Sequence, residues 1–536
     1  MRFLIFLSLF LAACAAGPES TSSGLPELTF VHLNDTYRPG AVEDGERGGF
    51  GRVVTVIRQL QREGRDVRIT HGGDFLHPSL ESQLWDGLQM VEAMNYLDAL
   101  APMYLVAGNH EFDGRDPEAF ARAVRASEFD WLGDNYRFMT GDAQVDAALH
   151  KAFTYRHAGR TVGVFSLTLH PDDGGTERDY LEVDRDYVSK AEQAIAALEA
   201  RGADVIIGLT HLHIWADIEI AKLKSKHPRL AFIVGGHEHE PQYAAPGDDS
   251  AGVYKGASNA RVIWRIDVAF DADGLPVVAG KRLDMDAAVA EDPDYQAIPM
   301  KYHAQLVERY PLLEGRVARA ALPMDATEES VRGGENSWGN FIADQMRGAF
   351  GVPEADLAFI NSGSLRIDDY IAGDISYEDV ARTFAFSSYL RLLPISGAEF
   401  RRLLETGFRG DGSSQGYFPQ VSGFRLCVDR SRPAGSRIAS LQVPQHGAWR
   451  EMEPDREYTL VMPDFLFNGG DDYQVPAARK AAASRPGSEL KYLVLDALID
   501  AQAEGRAVGR PVDPASPRIE VHTGPMPRCF APAGSG

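Results

Sequence analysis

The most constraining feature of this sequence is an alternation of short apolar runs with amphipathic stretches between about residues 25 and 286. Stretches of helical periodicity, such as FGRVVTVIRQLQ and SKAEQAIAALEA, lie between several of these runs. This alternation predicts a layered α/β domain. The DADG segment at 271–274 predicts a β-hairpin, and therefore a mixed sheet. Six of the runs are strand-like: LTFVHL, VRIT, MYLVAG, TVGVFSL, ADVIIGLT and LAFIVGG.

The chain is too long for one hydrophobic core. It has 536 residues, whereas single cores stop growing at about 250–300 residues. The sequence from about 287 to 336 is polar, helical in character and without a strand pattern, which is typical of a connecting segment. The predicted boundaries are 25–317 for the first domain, 318–336 for a linker, 337–530 for a second domain and 531–536 for a disordered tail.

Residues 1–24 have the pattern of a bacterial lipoprotein signal. One arginine precedes an apolar stretch that is too short to span a bilayer. Leu11-Ala12-Ala13-Cys14 resembles a lipoprotein cleavage box, which implies a diacylglycerol on Cys14. The alternative is a plain secretory signal cut after another small residue. We expect a lipid-anchored protein of the periplasm or cell envelope, and Ala15 in place of a retention aspartate favours the outer membrane.

The remaining cysteines, Cys427 and Cys529, leave two states open. In an oxidising compartment they can form one disulfide, and two buried thiols are the alternative. Sequence alone does not give the distance between them.

The acidic balance of the chain limits its partners. Its 54 Lys and Arg against 77 Asp and Glu give a net charge of −23. This charge argues against nucleic acid as a partner, because binding to a phosphate backbone needs positive charge. A cluster of metal ions can still reverse the local field and bind a small anion.

Five short segments place metal-ligand residue types directly after apolar runs. Because the carboxyl ends of strands share one edge of an α/β sheet, these segments can converge in space. Carboxylate, amide and imidazole groups together suit two divalent ions such as Zn, Mn, Fe or Co. Two such ions about 3.5–4 Å apart can activate a water and hold a phosphoryl oxygen. The segments are Asn34-Asp35-Thr36-Tyr37, Gly72-Gly73-Asp74, Gly108-Asn109-His110-Glu111, Leu209-Thr210-His211 and Gly235-Gly236-His237-Glu238-His239.

In this order the segments resemble the DxH, GGD, GNHE(F)D, lone-histidine and GHxH motifs of the calcineurin-like metallophosphoesterases. The closer resemblance is to the bacterial 5′-nucleotidase / UDP-sugar hydrolase / 2′,3′-cyclic-nucleotide phosphodiesterase family, and it extends over both domains. It implies an N-terminal four-layer α/β/β/α sandwich, a helical linker and a second α+β domain that binds substrate.

The resemblance also implies roles for individual residues. His110, oriented by Asp113, would stabilise the transition state or the leaving group. His213 follows His211 by two positions and is expected to point to the other face of an extended segment. The implied ligands are Asp35 and His239 for the first metal, Asp74 as the bridge, and Asn109, His211 and His237 for the second metal.

Tyr37 stands where the family has a histidine. Its hydroxyl can ligate as a phenolate, since nearby positive charge favours the charged form. It can instead hydrogen-bond a metal-bound water, which would leave the first site weaker. Loss of that metal and of activity is the third reading, which the presence of every other ligand disfavours.

The second domain is expected to recognise the substrate. The segment Asn361-Ser362-Gly363-Ser364-Leu365-Arg366 resembles the family segment NGGGIR, which implies that Arg366 contacts phosphate. An ion pair at the domain surface is the alternative.

Two further segments, FPQVSGF and PDFLFNGGDDY, resemble those that bring two aromatic rings around a nucleobase. Phe418 and Phe465 are at the matching ring positions, and Asp471 matches the carboxylate that hydrogen-bonds the nucleoside. Core packing is the alternative for either ring, and Tyr417 replaces Phe418 if the register shifts by one.

The sequence therefore predicts a metal-dependent phosphoesterase of the cell envelope that releases phosphate from nucleoside 5′-monophosphates for salvage. Its partners would be the nucleotide and the membrane that holds the lipid, with no obligate protein partner. A cyclic-nucleotide phosphodiesterase or a nucleotide-sugar hydrolase would use the same site. A nucleotide-binding lipoprotein with an impaired metal site is a further alternative, and the intact His110–Asp113 pair argues against it.

Overall fold

The structure is a computed structural model that describes residues 27–114, 116–171, 178–410, 415–523 and 529–530. The predicted lipidation site, Cys14, lies outside the described residues, as do the signal segment and the tail. Among the residues that are described, no helix has the length and apolar character needed to cross a bilayer.

The N-terminal domain alternates strands and helices, and all six predicted strand runs form strands. Its strands are β1 (Leu28–Leu33), β2 (Val67–His71), β3 (Met103–Val106), β4 (Asp130–Leu132), β5 (Tyr136–Phe138), β6 (Leu149–His150), β7 (Phe153–His157), β8 (Arg160–Thr168), β9 (Leu181–Val183), β10 (Val205–His211), β11 (Leu230–Gly235), β12 (Gln242–Ala244), β13 (Gly252–Lys255), β14 (Val262–Phe270) and β15 (Pro276–Asp284). Its helices are α1 (Phe50–Arg62), α2 (Ser82–Trp85), α3 (Leu88–Leu100), α4 (Pro117–Ala126), α5 (Ala143–Asp146), α6 (Tyr187–Ala200), α7 (Ile214–Ala221) and α8 (Ala297–Arg309).

Two sheets make the centre of this domain. One has the order β15-β14-β1-β2-β3-β4-β6, and the other has the order β12-β13-β11-β10-β8-β7. The strands β1 to β4 pair in parallel, as do β8, β10, β11 and β13. Strands β14 and β15 form the antiparallel hairpin predicted from DADG. Each sheet is therefore mixed, with antiparallel strands at one edge of the first sheet and at both edges of the second.

The packing explains the four layers. Phe30 of β1 contacts Phe232 of β11 at a ring separation of 5.5 Å, so the two sheets share one apolar core. Apolar faces of α1 and α3 cover the outside of the first sheet. Apolar residues of α6 and α7 cover the outside of the second sheet, in a separate cluster. The α/β/β/α sandwich predicted from the family resemblance is confirmed.

The C-terminal domain mixes shorter strands with helices. Its strands are β16 (Arg316–Arg319), β17 (Met324–Ala326), β18 (Leu357–Asn361), β19 (Asp369–Ile371), β20 (Asp374–Ser376), β21 (Leu390–Ser396), β22 (Pro419–Ser422), β23 (Arg425–Asp429), β24 (Ile438–Gln445), β25 (Ala448–Glu451), β26 (Glu457–Pro463) and β27 (Ile519–His522). Its helices are α9 (Glu328–Gly333), α10 (Ser337–Gly348), α11 (Tyr377–Thr383), α12 (Gly397–Glu405), α13 (Asp464–Asn468), α14 (Ala477–Ala482) and α15 (Leu490–Ala503).

Two four-stranded sheets, β21-β26-β18-β22 and β25-β24-β23-β27, form the frame of this domain. Cys427 of β23 and Cys529 form a disulfide with a Cα–Cα distance of 5.8 Å. The sequence had left that pairing open.

Residues 318–336, predicted to be a linker, are part of the C-terminal domain in the structure. Strand β16 pairs with β20, and β17 pairs with β19. Ala318, Met324 and Val331 are buried in the core that α10 and α15 also build. The strands are too short to give a recognisable alternation, which is why the segment reads as polar and helical.

Candidate functional site

The predicted ligand segments meet where strands of both sheets end. Asp35 follows β1, Asp74 follows β2, and Asn109 follows β3 in the first sheet. His211 is the last residue of β10, and His237 and His239 follow β11 in the second sheet. The two edges are joined directly, because His32 of β1 contacts the Gly235 carbonyl oxygen through Nε2 at 3.0 Å.

One group of donor atoms surrounds the hydroxyl of Tyr37. Its Oη lies 3.0 Å from His239 Nε2, 3.4 Å from Asp74 Oδ2 and 3.5 Å from Asp35 Oδ1. His239 Nε2 and Asp35 Oδ1 are 3.4 Å apart. The predicted ligands of the first metal are therefore brought together, and Tyr37 lies among them.

A second group lies on the other side of Asp74. Asn109 Oδ1 is 3.0 Å from His211 Nε2 and 3.3 Å from His237 Nδ1. The Asp74 Oδ2 atom that lies near Tyr37 is also 3.4 Å from His211 Nε2. One carboxylate oxygen thus faces both groups, as the predicted bridging role requires. Asp35, Asp74 and His211 are buried and present donor atoms close enough to hold one ion.

The backbone at these ligands is unusual. Asp35, Asp74 and His237 have φ angles of 52°, 61° and 79°, in the left-handed region that non-glycine residues seldom adopt. Such conformations persist where the surroundings impose them, and they cluster at functional sites. Gly108 permits the close approach, since a Cβ there would meet Asp74 Oδ1 at 2.1 Å. The turns after the strands thus aim the ligand side chains into one space.

Glu111 holds two of these turns together, a role that sequence reasoning missed. Its carboxylate accepts hydrogen bonds from the backbone N–H groups of Asp74 at 2.9 Å and Phe75 at 2.6 Å, and from that of Gly108. The signal was present, since Glu111 is part of the GNHE motif without a ligand role. It fixes the positions of the ligands Asp74 and Asn109 relative to each other.

The electrostatic interactions among the buried side chains of the predicted metal site favour a bound cation. Burial raises the pKa of Asp35 to about 8, and nearby Asp74 adds to the rise while His211 opposes it. Burial alone would lower the pKa of His211, but Asp74 and Asp35 raise it to about 9. By contrast, His211 and His110 hold the pKa of Asp74 below its usual value despite burial. Without a cation Asp35 and His211 thus favour retained protons, and a bound ion would replace these protons.

Two of the imidazoles are in the form that binds metal. Burial lowers the pKa of His239 to about 3 in spite of the attraction of Glu328. Burial also holds the pKa of His237 well below its usual value, and His213 adds to the effect. Both rings are therefore neutral near pH 7, as metal ligands must be. The donors fit divalent ions in chemistry and in spacing.

His110 and Asp113 form the predicted pair. His110 Nδ1 lies 2.5 Å from Asp113 Oδ2, and the His110 backbone N–H donates to Asp74 Oδ1 at 2.8 Å. Burial alone would lower the pKa of His110, but Asp113 and Asp74 raise it above its usual value. The two carboxylates therefore favour the protonated form of the His110 imidazole, which lies beside the predicted metal ligands.

Arg366 extends from the C-terminal domain to this cluster. Its guanidinium carbon lies 5.4 Å from the ring centre of Tyr37 and 5.3 Å from that of Phe386. Its Nε donates to the Gly363 carbonyl oxygen at 2.7 Å. Its Nη1 is buried and has no hydrogen-bond partner among the described residues. A buried donor without a partner beside a ligand cluster suits an anionic ligand.

Three further residues of this domain were missed by the sequence reasoning. Glu328 Oε1 lies 2.5 Å from His239 Nδ1, and Arg332 is paired with Glu328 at 2.5 Å. The ring of Phe386 lies 6.0 Å from that of His110. Glu328 and Arg332 lie in the segment predicted as a linker, which hid them. Phe386 begins FSSYLRLLPISG, a segment aligned with the family pattern PFGNTLxxxELTG without an assigned role.

The prediction for Phe418 is wrong. Its side chain is 1% exposed and packs in the domain core against Phe408 at a ring separation of 5.7 Å. Tyr417, the alternative, is half-buried, and the guanidinium of Arg409 covers its ring at 3.7 Å. Phe418 immediately precedes β22, whose pairing with β18 turns the ring inward.

Phe465 and Asp471 lie on consecutive short helical turns that follow β26. Phe465 is 38% exposed, and its ring covers Gly470 so closely that a Cβ there would meet it at 2.5 Å. Asp471 Oδ2 accepts a hydrogen bond from Asn361 Nδ2 at 2.8 Å. The segment that follows Phe386 is joined to helix α13, which carries Phe465, since the Asp464 backbone N–H donates to the Tyr389 carbonyl oxygen at 2.8 Å. Phe386 and Phe465 are thus two partly exposed rings on connected segments.

His213 does not point away from the cluster, contrary to the prediction. Its ring centre lies 4.4 Å from that of His237, and it stacks on Trp215 at 5.8 Å. The strand ends at His211, so the alternation of an extended segment no longer applies two residues later.

Fold and site together define a metallophosphoesterase with a separate C-terminal domain. The family models agree: residues 28–241 match the calcineurin-like phosphoesterases, and residues 315–478 match the 5′-nucleotidase C-terminal domain. The chain belongs to this family of metallophosphoesterases with a 5′-nucleotidase C-terminal domain, which are hydrolases of phosphoester bonds. Calcineurin-like phosphoesterases use divalent metals.

Several known proteins are similar over most of the chain. The human 5′-nucleotidase is 24% identical over 500 residues, which are 85% of each chain. The trifunctional nucleotide phosphoesterase protein YfkN of Bacillus subtilis is 25% identical over 86% of this chain, which spans only 33% of that longer protein. The structure of a 5′-nucleotidase precursor from Thermus thermophilus superposes with a TM-score of 0.75 at 25% identity, over 93% of this chain and all of that one.

Proposed function

We propose that this chain is a dinuclear-metal 5′-nucleotidase of the cell envelope that releases phosphate from nucleoside 5′-monophosphates. The observation that carries the proposal is the position of Arg366. Its buried, unpartnered Nη1 lies beside the ring of Tyr37, which itself lies among the predicted metal ligands. A phosphate held by the arginine would therefore face the ligand cluster.

Two ions would be held by the residues on either side of Asp74: Asp35 and His239 on one side, and Asn109, His211 and His237 on the other. Bound there, divalent ions would supply an activated water and neutralise charge on the phosphoryl group. His110 would hold a proton near the leaving oxygen of the bound ester, and Asp113, 2.5 Å from its Nδ1, would keep the ring in place. The leaving nucleoside would take that proton as the ester bond breaks.

The C-terminal domain would recognise the nucleoside. Phe465 offers an exposed ring face, and the ring of Phe386 lies 6.0 Å from that of His110. Stacking of a base on aromatic rings contributes about 1–3 kcal/mol and tolerates different bases. Asp471 is positioned to accept a hydrogen bond from a nucleoside hydroxyl while its other partner is Asn361.

The proposed location rests on the sequence of the N-terminus. Leu11-Ala12-Ala13-Cys14 supports lipidation of Cys14 and an anchored protein, with the outer membrane favoured. The pairing of Cys427 with Cys529 agrees with an oxidising compartment, because disulfides persist there.

A substrate panel tests the proposed activity. The full chain, loaded in turn with Mn, Zn, Co and Ca, is expected to release phosphate from nucleoside 5′-monophosphates with a higher kcat/KM than from cyclic nucleotides or nucleotide sugars. A reversed preference would move the function to one of those substrates. Nucleotide binding without turnover by any metal-loaded form would contradict the proposal that the protein is an enzyme.

Replacement of Arg366 by alanine is expected to raise KM for a nucleoside monophosphate by roughly 10- to 100-fold with little change in kcat. A charge-assisted hydrogen bond contributes about 1.5–3 kcal/mol, and it would be made in the ground state and in the transition state alike. Steady-state kinetics on the metal-loaded protein measure this. Arg401→Ala is the control, because Arg401 instead donates to the Ile438 carbonyl oxygen in the packing of α12. An unchanged KM in Arg366→Ala would show that Arg366 does not bind the phosphate group of the substrate.

A further inference from the structure

Tyr37 is the residue at which this chain departs from the histidine of its family, and its surroundings define what it does. The hydroxyl is not directed to solvent, since the side chain is only 6% exposed. Its three nearest polar neighbours are side chains of the predicted first metal site: Asp35, Asp74 and His239. The Tyr37 oxygen is thus one of the atoms that line the predicted first metal site.

The spacing of these atoms is that of ligands around one ion. Donor atoms at about 2.1 Å from an ion lie about 3.0 Å apart in octahedral geometry and about 3.4 Å apart in tetrahedral geometry. The separations from Tyr37 Oη are 3.0, 3.4 and 3.5 Å, and that between His239 Nε2 and Asp35 Oδ1 is 3.4 Å. Tyr37 Oη therefore lies from each of the three predicted ligands at the spacing expected of a further donor to the same ion.

The side chain is fixed in this position from several sides. The Tyr37 backbone N–H donates to Asn259 Oδ1 at 3.0 Å. The ring lies 5.5 Å from the ring of His239, and the guanidinium of Arg366 lies over its face at 5.4 Å. Rotation of the ring away from Asp35, Asp74 and His239 would break both ring contacts. Preorganised donors lose little entropy on binding, which favours ligation.

We propose that the Tyr37 oxygen is a ligand of the ion at Asp35, Asp74 and His239, and that it makes this site select iron in the ferric state. The inference rests on the metal-dependent function proposed above. As the oxygen–metal bond forms, the phenol O–H bond breaks and its proton leaves to solvent, so that the donor becomes an anionic oxygen. A third anionic oxygen beside two carboxylates suits a hard trivalent ion better than zinc, which accepts nitrogen and sulfur equally well.

The competing reading is that Tyr37 only donates a hydrogen bond to His239 Nε2, which would occupy the lone pair of that ligand. The two readings predict opposite effects when the hydroxyl is removed. A hydrogen-bonding Tyr37 blocks the site, so its loss would leave metal binding unchanged or improve it. A ligating Tyr37 is needed by the site, so its loss would weaken metal binding there.

The experiment uses the full chain loaded aerobically with iron, and it measures metal content per chain and visible absorption. A phenolate bound to ferric iron absorbs visible light by charge transfer, whereas carboxylate, imidazole and amide ligands do not give that band. We expect a visible band in the wild-type protein. Tyr37→Phe should lose the band together with one equivalent of iron. Tyr37→His should keep the iron and lose the band.

Tyr302→Phe is the matched control. Tyr302 is 7% exposed and its hydroxyl donates to the carboxylate of Glu92 at 2.8 Å, on α8 and away from the donor set. This variant should keep both the iron and the band. An iron-loaded wild-type protein without a visible band, a Tyr37→Phe variant that keeps it, or a chain that takes up no iron would each overturn the inference. Turnover of nucleotides by the zinc- or manganese-loaded protein is scored separately, so that a failure of the inference and a failure of the proposed function are distinguishable.

Discussion

Replacement of His110 by alanine is expected to lower kcat by about 10²- to 10⁴-fold, the range that general acid catalysis contributes. The ring is held against Asp113 at 2.5 Å, and Asp113 and Asp74 together raise its pKa above the usual value despite burial. Only the backbone N–H of His110 contacts the predicted bridging ligand, Asp74. The substitution therefore leaves that contact in place, and metal content should stay close to the wild-type value.

The measurement is kcat together with metal per chain by mass spectrometry. His157→Ala is the matched control, because His157 is 7% exposed against 8% for His110 and also pairs with a carboxylate, Asp66, at 3.2 Å. It lies at the opposite end of the sheets, where β7 ends, and its loss should leave kcat unchanged. An equal fall in kcat and in metal content in His110→Ala would show that the residue supports the metals instead of the reacting phosphoryl group.

The first domain could be predicted from sequence because its signals are local. Each of the six predicted strands is an apolar run of ordinary length, and ligand residue types follow five of them within a few residues. Parallel strands then bring these positions to one edge without further information. Asp35, Asp74 and His211 therefore meet as expected. The place of Tyr37 among them depends on distances between side-chain atoms, which no sequence pattern encodes.

The contribution of the second domain could not be predicted in the same way. Glu328 and Arg332 approach His239 through the packing of one domain on the other. That approach is fixed by buried polar contacts such as Asn259 with Asp368 at 2.8 Å, far apart in the sequence. Phe418 was misassigned because polar neighbours in the chain do not report which way a ring turns at the start of a strand.

The same contacts couple the domains to the metal site. Glu328 lies 2.5 Å from His239 Nδ1, the nitrogen of that ring that does not face Tyr37. Arg261 of the first domain lies 3.1 Å from the Glu328 carboxylate and is buried. A carboxylate that holds the second nitrogen of a metal-binding imidazole orients the ring and raises its basicity. The C-terminal domain therefore positions a predicted metal ligand of the first domain.

Replacement of Lys255 by methionine is expected to lower the midpoint of thermal unfolding of the N-terminal domain by on the order of 10 °C. Lys255 is fully buried, and its Nζ lies 2.8 Å from Asp217 Oδ2, donates to the Gly236 carbonyl oxygen at 2.9 Å and contacts the carboxylate of Glu238. Removing one partner of a buried ion pair costs about 3–5 kcal/mol, because the opposite charge stays buried and unpaired. In a domain of this size each kcal/mol shifts the midpoint by about 2–4 °C.

The same substitution should weaken metal binding, which calorimetric unfolding and metal titration measure separately. Glu238 lies between the predicted ligands His237 and His239, and the Gly236 carbonyl oxygen that Lys255 binds precedes them. The ammonium group thus ties the backbone and the intervening carboxylate of this loop to α7, which carries Asp217. Lys281→Met is the control: this lysine is exposed on β15, and its loss should change stability by less than about 0.5 kcal/mol. A Lys255→Met protein that unfolds at the wild-type temperature and binds metal normally would mean that water replaces the ammonium group without loss.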